Sequence, residues 1–278
     1  MNVSRFKFSL FVLSLVLALY PVTPLRAADN GEAARLVQKF ETAISISSTW
    51  PRSLRQEERQ VVRKWTVDLG IAFYTDIKPE KIHLTTQGGM YDIMFNYLPV
   101  MSQYMGIPMR VLFKRERKNS QIDIWYVHPD RITKWLAESG FSQEIAARAV
   151  RNTACGIDVS ELDQGIIPVT VSVRIDANPI VAPHCMFSGL LAALGLPGYM
   201  SEPQLSLTKV AGETVEALTN DVRILLRTLY DTRITNGMPV KEAVAQARVI
   251  IPELLATVEK SDFRALFQIP GHPTQTAY

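Results

Sequence analysis

The sequence predicts an α+β fold in which a small mixed sheet packs on helices and the C-terminal third is helical. Strand-like and helical segments alternate as far as residue 176, and the segments after residue 218 are helical in pattern. An apolar helical run, residues 183–196, joins these two parts. With 278 residues, 47% of them hydrophobic, the chain is long enough to bury a large core.

Residues 1–27 have the order of features found in a secretory signal peptide. Arg5 and Lys7 precede an apolar run, residues 8–20, and Ala27 provides a small residue at the exit. The apolar run is shorter than the ~20 residues that span a bilayer. We therefore expect export to the periplasm or the exterior, with no stable membrane span after cleavage.

The charge balance indicates which partners the mature chain takes. The whole sequence has 30 basic and 27 acidic residues, but Arg5, Lys7 and Arg26 lie in the signal segment, which has no acidic residue. The remaining chain is therefore neutral, which argues against nucleic acid as a partner. We expect an envelope or extracellular protein instead, whose identity the sequence does not give.

The first half of the mature chain alternates helical and strand-like segments. Residues 31–46 place apolar side chains on one helical face, and a helical pattern returns over residues 54–65. Residues 65–76 are rich in β-formers and end in turn residues. Residues 91–106 predict a helix in which Pro99 introduces a kink.

Residues 109–113 and 122–127 are both strand-like and flank the charged run KRERK, residues 114–118. This arrangement predicts a β-hairpin with the charged run at its tip. Residues 129–140 begin with Pro-Asp and end in Gly, as a short helix does, and residues 142–150 predict another.

The second half contains the clearest single strand and the longest helices. Residues 168–176, PVTVSVRID, alternate and are β-branched, which predicts a strand that leads into the apolar helix of residues 183–196. Residues 218–231 and 238–260 predict two further helices with recognisable N-terminal signals. Because no Gly-, Pro- or Ser-rich linker divides the chain, we expect one domain, residues 61–278, after a helical N-terminal extension, residues 28–60.

The only cysteines are Cys155 and Cys185. An even pair in an exported protein indicates a disulfide more than a nucleophilic thiol, with a free buried pair as the alternative. Since Cys155 precedes the strand-rich stretch and Cys185 begins the apolar helix, the bridge would tie sheet to helix.

The apolar helix ends in SGLLAALGL, residues 188–196, and this ending is similar to that of the catalytic helix in metzincin zinc peptidases. There H-E-x-x-H supplies two metal ligands and a general base one helical turn apart. Here those positions hold Ser188, Gly189 and Ala192, and the third ligand position would fall at Gly198. The resemblance implies a zincin-like fold without catalytic residues, metal or cofactor at this helix.

A closer resemblance is to a family of exported bacterial proteins with no assigned activity, domain of unknown function 2927. The resemblance covers about residues 60–255, although the acidic and Gln positions of the family's helix are Ser188, Gly189 and Ala192 here. The residues that match its pattern are Lys64, Trp65, Cys155, Cys185, Ala193 to Leu196, Leu218, Asp221, Leu229 to Asp231, Gly237, Met238 and Ala243.

These observations favour a non-catalytic protein that binds or scaffolds in the cell envelope. The alternative is a hydrolase or peptidase with a non-standard site, in which His184 is joined by Asp221 or Asp231. The two hypotheses differ in whether these three side chains converge in one cleft. No two of the four histidines have the spacing of a ligand pair, and a turn or cap role is expected for His128.

Overall fold

The computed structural model describes residues 30–45, 60–75, 96–113, 116, 119–138, 142–144, 155–159, 169–174, 181–198, 205–210 and 213–268. In this part of the chain the helices are α1 Asn30–Ile44, α2 Leu98–Met105, α3 Pro129–Glu138, α4 Val181–Ala193, α5 Asn220–Leu229 and α6 Val240–Lys260. The strands are β1 Leu69–Thr75, β2 Met109–Leu112, β3 Ile122–Val127, β4 Cys155–Val159, β5 Val169–Arg174, β6 Leu205–Val210 and β7 Glu213–Leu218. A 3₁₀ turn, Phe263–Leu266, follows α6. The α+β prediction is confirmed.

A five-stranded mixed sheet has the order β2-β1-β3-β5-β4. Strands β2, β1, β3 and β5 run parallel to one another. Strand β4 pairs antiparallel with β5 at the edge of the sheet. The prediction of a β2–β3 hairpin is wrong, because β1 lies between these strands and both run parallel to it. Leu112, the last residue of β2, pairs with Ala72, and Ile122, the first residue of β3, pairs with Ile71. Along the strand direction, β3 therefore begins where β2 ends, on the other side of β1.

One face of the sheet belongs to the core. Alternate residues of β1 and β3 point into the core and are buried, because successive side chains of a strand point to opposite faces of the sheet. The residues concerned are Leu69, Ile71, Phe73, Ile122, Ile124 and Tyr126. Helix α4 packs against β5 and β4 and continues this core, which places the end of α4 beside the later helices.

Helix α1 is part of the same core. Leu36, Phe40, Ala43 and Ile44 are buried on one side of it, because the apolar residues recur at helical spacing. This side packs against α6 and α5. The segment 28–60, expected as a helical extension, therefore contributes a core helix to the domain.

Several local predictions differ from the structure. Pro99 lies in the first turn of α2, which directly follows the π-helical residues Asn96 and Tyr97, while residues 91–95 of the predicted helix lie outside the described part. The helical pattern predicted up to Trp65 does not hold over residues 61–65, where Val61 forms a β-bridge with Pro239. The antiparallel pair β6–β7 precedes the helices of the C-terminal third and was not predicted. Within the described residues, no helix is both long and apolar enough to span a membrane.

Candidate functional site

The positions that would carry H-E-x-x-H are buried in the core. Ser188 is 6% exposed, Ala192 is 2% exposed and Gly189 is also buried. The described residues of α4 from Met186 onward are buried on every face, as expected of an apolar central helix. These positions therefore present no reactive group to a cleft.

The turn after α4 requires glycine for two reasons. Gly195 has φ +100°, a conformation that side chains rarely adopt. A Cβ at this position would also overlap the carbonyl oxygen of Arg63. This close approach of two backbone segments explains why a glycine stands at position 195, in the run Ala193 to Leu196 (the A-L-G-L motif).

Gly198, the position of a third metal ligand in the resemblance, is occupied by backbone packing. Its N–H donates to the carbonyl of Ala43 at 2.8 Å, at the end of α1. A Cβ at Gly198 would overlap the carbonyl oxygen of Thr42. The C-terminal end of α1 thus lies where a ligand side chain would have to extend.

The end of α4 is capped by two remote aromatic side chains. Trp65 Nε1 donates to the carbonyl of Ala193 at 2.8 Å, and the Tyr230 hydroxyl donates to the carbonyl of Leu194 at 3.0 Å. The backbone N–H of Trp65 in turn donates to the Tyr230 hydroxyl at 3.4 Å. The last carbonyls of a helix lack partners within it, so these bonds satisfy groups that would otherwise be buried unpaired.

The end of α5 is capped by a cation. Lys64 Nζ donates to the carbonyls of Leu229 and Asp231 at 3.3 and 3.0 Å and lies 5.7 Å from the centre of the Tyr230 ring. A positive charge at this end is stabilising, because the C-terminal end of a helix carries a partial negative charge. Burial lowers the pKa of Lys64, while the nearby Asp231 acts in the opposite direction.

The C-terminal end of α2 lies close to the end of α5, and Gln268 joins the two. Gln268 Nε2 donates to the carbonyl of Tyr104 at 2.9 Å, near the end of α2, and to that of Tyr230 at 3.3 Å, just after α5. We call Lys64, Trp65, Tyr230 and Gln268, with the carbonyls they bind, the helix-end junction. It joins the C-terminal ends of α2, α4 and α5, and its chemistry is that of capping.

Asp231 extends the junction toward α6. This carboxylate, 8% exposed, accepts hydrogen bonds from the backbone N–H of Arg233 at 3.0 Å and from its guanidinium at 2.9 and 3.1 Å. Arg227 adds a contact at 3.4 Å, and Arg233 also binds Glu253 on α6 at 2.7 Å. Burial alone would raise the pKa of Asp231, but the bonds from Arg233 hold it below its usual range.

Asp221 occupies a separate ion-pair cluster at the start of α5. Its carboxylate accepts two hydrogen bonds from Arg35 at 2.7 and 2.8 Å and one from Lys39 at 2.8 Å, both on α1. These bonds lower the pKa of Asp221 to about 2. Glu32 shares Arg35, which it binds at 2.6 Å.

The structure does not bring the candidate acids together. Asp221 lies in the first turn of α5 and Asp231 lies two residues after its end, and the eight helical steps from Asp221 to Leu229, at 1.5 Å each, alone span about 12 Å. The backbone of His184 lies in α4, but its side chain is outside the described part, as are His83 and His272. His128 precedes α3, and its Nδ1 accepts the N–H of Asp130 at 3.4 Å, which is the expected cap role. Among the described residues, no group of three His, Cys, Asp or Glu is arranged to hold a metal ion.

The backbone places the two cysteines on contacting elements. Cys155 is the first residue of β4, level with Val173 of β5, and Cys185 is in α4, which packs on both strands. Their side chains lie outside the described part, so the disulfide remains a prediction.

Sequence reasoning found part of the junction. Lys64, Trp65 and the Leu-Tyr-Asp motif of residues 229–231 were identified as motif residues, without the information that they meet. Gln268 and Arg233 were missed, since a lone Gln and a surface-like Arg give no local signal.

Comparison with known proteins gives a family and no relative of known function. No curated protein and no solved structure matches the chain. A family model described as a protein of unknown function (DUF2927) matches residues 28–249, a range that includes α1 and most of the junction. Because this match spans most of the chain, the protein belongs to the DUF2927 family.

Proposed function

We propose that the mature chain is an exported, non-catalytic protein that binds or scaffolds another protein in the cell envelope or outside the cell. We also propose that the sheet and α4 form a zincin-like fold whose metal site has degenerated. The strand-to-helix order from β5 to α4, followed by the Gly195 turn, supports the likeness to zinc peptidases.

The observation that carries the proposal is the burial of Ser188, Gly189 and Ala192 within α4. Hydrolysis by a bound metal needs ligands and a general base that meet substrate and water. These three residues offer no ligand side chain of the usual kind and face the core. The end of α1 packed against Gly198 gives independent support.

The alternative hydrolase is less well supported. A general acid or base must lie within hydrogen-bond reach of the reacting group. Asp221 and Asp231 lie near opposite ends of α5, which spans about 12 Å from Asp221 to Leu229, and each carboxylate already accepts several hydrogen bonds from arginine or lysine. A site around His184 would therefore use one of these acids at most, after breaking its ion pairs.

Hydrolase assays on the purified mature chain separate the two hypotheses. We expect no turnover of peptide or ester substrates by the wild-type chain, by His184→Ala or by the matched control His128→Ala. A turnover that His184→Ala abolishes and His128→Ala retains would establish the alternative. Photo-crosslinking from exposed helix positions in intact cells tests the binding role, and we expect one specific envelope protein to be captured.

Export and the disulfide have direct tests. A reporter enzyme that is active only outside the cytoplasm, fused after Ala27, should be active. The intact mass of the oxidised mature chain should be two hydrogens below that of the reduced chain, and this difference should vanish in Cys155→Ser. An inactive reporter or an unchanged mass would contradict the corresponding proposal.

A further inference from the structure

The chain turns back across α2 and α5 after α6 ends. The Asp262 side chain accepts the N–H of Arg264 at 2.6 Å and starts the 3₁₀ turn Phe263–Leu266. We call residues 262–268 the C-terminal latch. Of these residues only Leu266 is buried, while Asp262, Arg264 and Ala265 are exposed.

Three apolar side chains anchor the latch. Leu266, 3% exposed, enters the core, and Phe267 contacts the Tyr104 ring edge-on with centroids 4.9 Å apart. Phe263 faces the Arg223 guanidinium, 5.1 Å from the ring centre. The two aromatic anchors therefore rest on Tyr104 of α2 and Arg223 of α5.

Gln268 closes the latch with polar bonds to both helices. Its backbone N–H donates to the carbonyl of Gln103 at 2.8 Å, and its side-chain amide donates to the carbonyls of Tyr104 and Tyr230. Gly106 makes room for this side chain, since a Cβ there would lie 2.8 Å from Gln268 Oε1.

The surface under and beside the latch is incompletely satisfied. Gln103, 4% exposed on α2, has an Oε1 without a hydrogen-bond partner in the described part of the chain, and so does the buried Nε of Arg223 on α5. Burial raises the pKa of Tyr104 to about 12, and Arg223 hydrogen-bonds its side chain. Among the described residues, one acceptor on α2 and one donor on α5 thus lack a hydrogen-bond partner and are available to a different occupant.

We propose that the latch is a reversible, self-occupied docking site between α2 and α5. It opens locally while the domain stays folded, because it contributes one buried side chain and its other residues are half-buried or exposed. The partner that fits the uncovered surface is a short peptide turn of the same chemistry, with two aromatic anchors, one aliphatic anchor and a side-chain amide. This inference is independent of the proposed envelope role.

Native-state hydrogen exchange on the full mature chain tests local opening. The amides of Phe267 and Gln268, bound to the carbonyls of Arg264 and Gln103, report on the latch. We expect them to be at least about tenfold less protected than the amides of the buried α5 residues. Equal protection would mean that the latch opens only on global unfolding and would overturn the proposal.

A synthetic peptide of residues 262–268 tests docking. We expect it to bind the Leu266→Ala chain, whose own latch is weakened, at least about tenfold more tightly than the wild-type chain. The peptide with Leu266→Ala should not bind, whereas the matched peptide with Arg264→Ala, altered at an exposed position, should bind as well as the parent. Absence of binding to a Leu266→Ala chain that circular dichroism shows to be folded, or equal binding of all peptides, would overturn the proposal.

Discussion

The two ends of α5 each place an aspartate against arginine, but they are built differently. The backbone of the N-terminal end is capped locally, since the Thr219 side chain accepts the N–H of Val222 at 3.3 Å, and the remote contacts of this end, from Arg35 and Lys39 of α1, go to the side chain of Asp221. The C-terminal end depends on Lys64, far back in the chain, and on Gln268, near its end.

This difference explains where the family motifs lie. A helix N-terminus can be capped by the residue beside it, whereas three C-termini that meet in a core need donors from elsewhere. The Lys-Trp, A-L-G-L and Leu-Tyr-Asp motifs all contribute to the helix-end junction. The residues of these family motifs thus have a structural role at the junction, and changes at this end should cost more than changes at the other.

The largest effect is expected for Gly195→Ala. Left-handed backbone strain costs about 1–2 kcal/mol, and overlap with the Arg63 carbonyl adds about 1–3 kcal/mol, so the free energy of unfolding should fall by roughly 3 kcal/mol or more. Gly237→Ala is the matched control, because φ is +83° there but nothing lies within 4 Å of an added Cβ. Denaturant melts that show equal losses for both variants would contradict the close packing at the junction.

Asp231→Asn compared with Asp221→Asn tests the two ends directly. The Asp231 side chain is 8% exposed, so Asn at 231 removes a buried charge that Arg227 and Arg233 share, and we expect a loss of about 2 kcal/mol. Asn at 221 should cost about 1 kcal/mol, since the Asp221 side chain is 19% exposed and its ion pairs are therefore better solvated. Urea unfolding of both variants measures the difference, and the reverse order would refute the comparison.

Tyr230→Phe removes one hydroxyl from the junction. The Leu194 carbonyl then loses its 3.0 Å donor in a buried place, and the free energy of unfolding should fall by about 1–2 kcal/mol. Trp65→Phe removes the bond to Ala193, and the double variant should cost less than the sum of the two changes, because both cap the end of α4. Strict additivity in thermal melts would show that the two caps act independently.

The smallest effect is the pH dependence of the Asp221 cluster. The pKa of Asp221 is about 2 in the folded chain and about 4 in an unfolded one, so its contribution is complete above about pH 4 and is lost as the pH falls toward 2. The stability difference between wild type and Asp221→Asn should shrink over this range and also decrease with added salt. A difference that persists at pH 2 would rule out the ionised pair as its source.

The fold was predictable where the signal was local. The alternation of β5, the continuous apolar run of α4 and the helical patterns of α5 and α6 identified these elements. The prediction of a β2–β3 hairpin was wrong because the sequence of two strands and a charged connection is the same whether or not a third strand lies between them. The alternation of residues 205–210 and 213–218 is typical of strands and agrees with the β6–β7 pair.

The site was predictable only as separate motifs. Nothing near Lys64 in sequence indicates that its ammonium binds carbonyls at 229 and 231, and nothing near Gln268 indicates its bonds to α2 and α5. One result was available from spacing alone. The ten residue steps from Asp221 to Asp231, in the helix predicted over residues 218–231, correspond to about 15 Å and already exclude a shared catalytic site.

The most direct test of the central claim, that α4 is a structural helix without metal chemistry, is the zinc content of the purified, oxidised mature chain after dialysis against zinc. Elemental analysis should give far less than one ion per chain, because Ser188, Gly189 and Ala192 are buried and α1 packs against Gly198. Stoichiometric zinc would contradict the account and direct attention to His184 and the acids of α5.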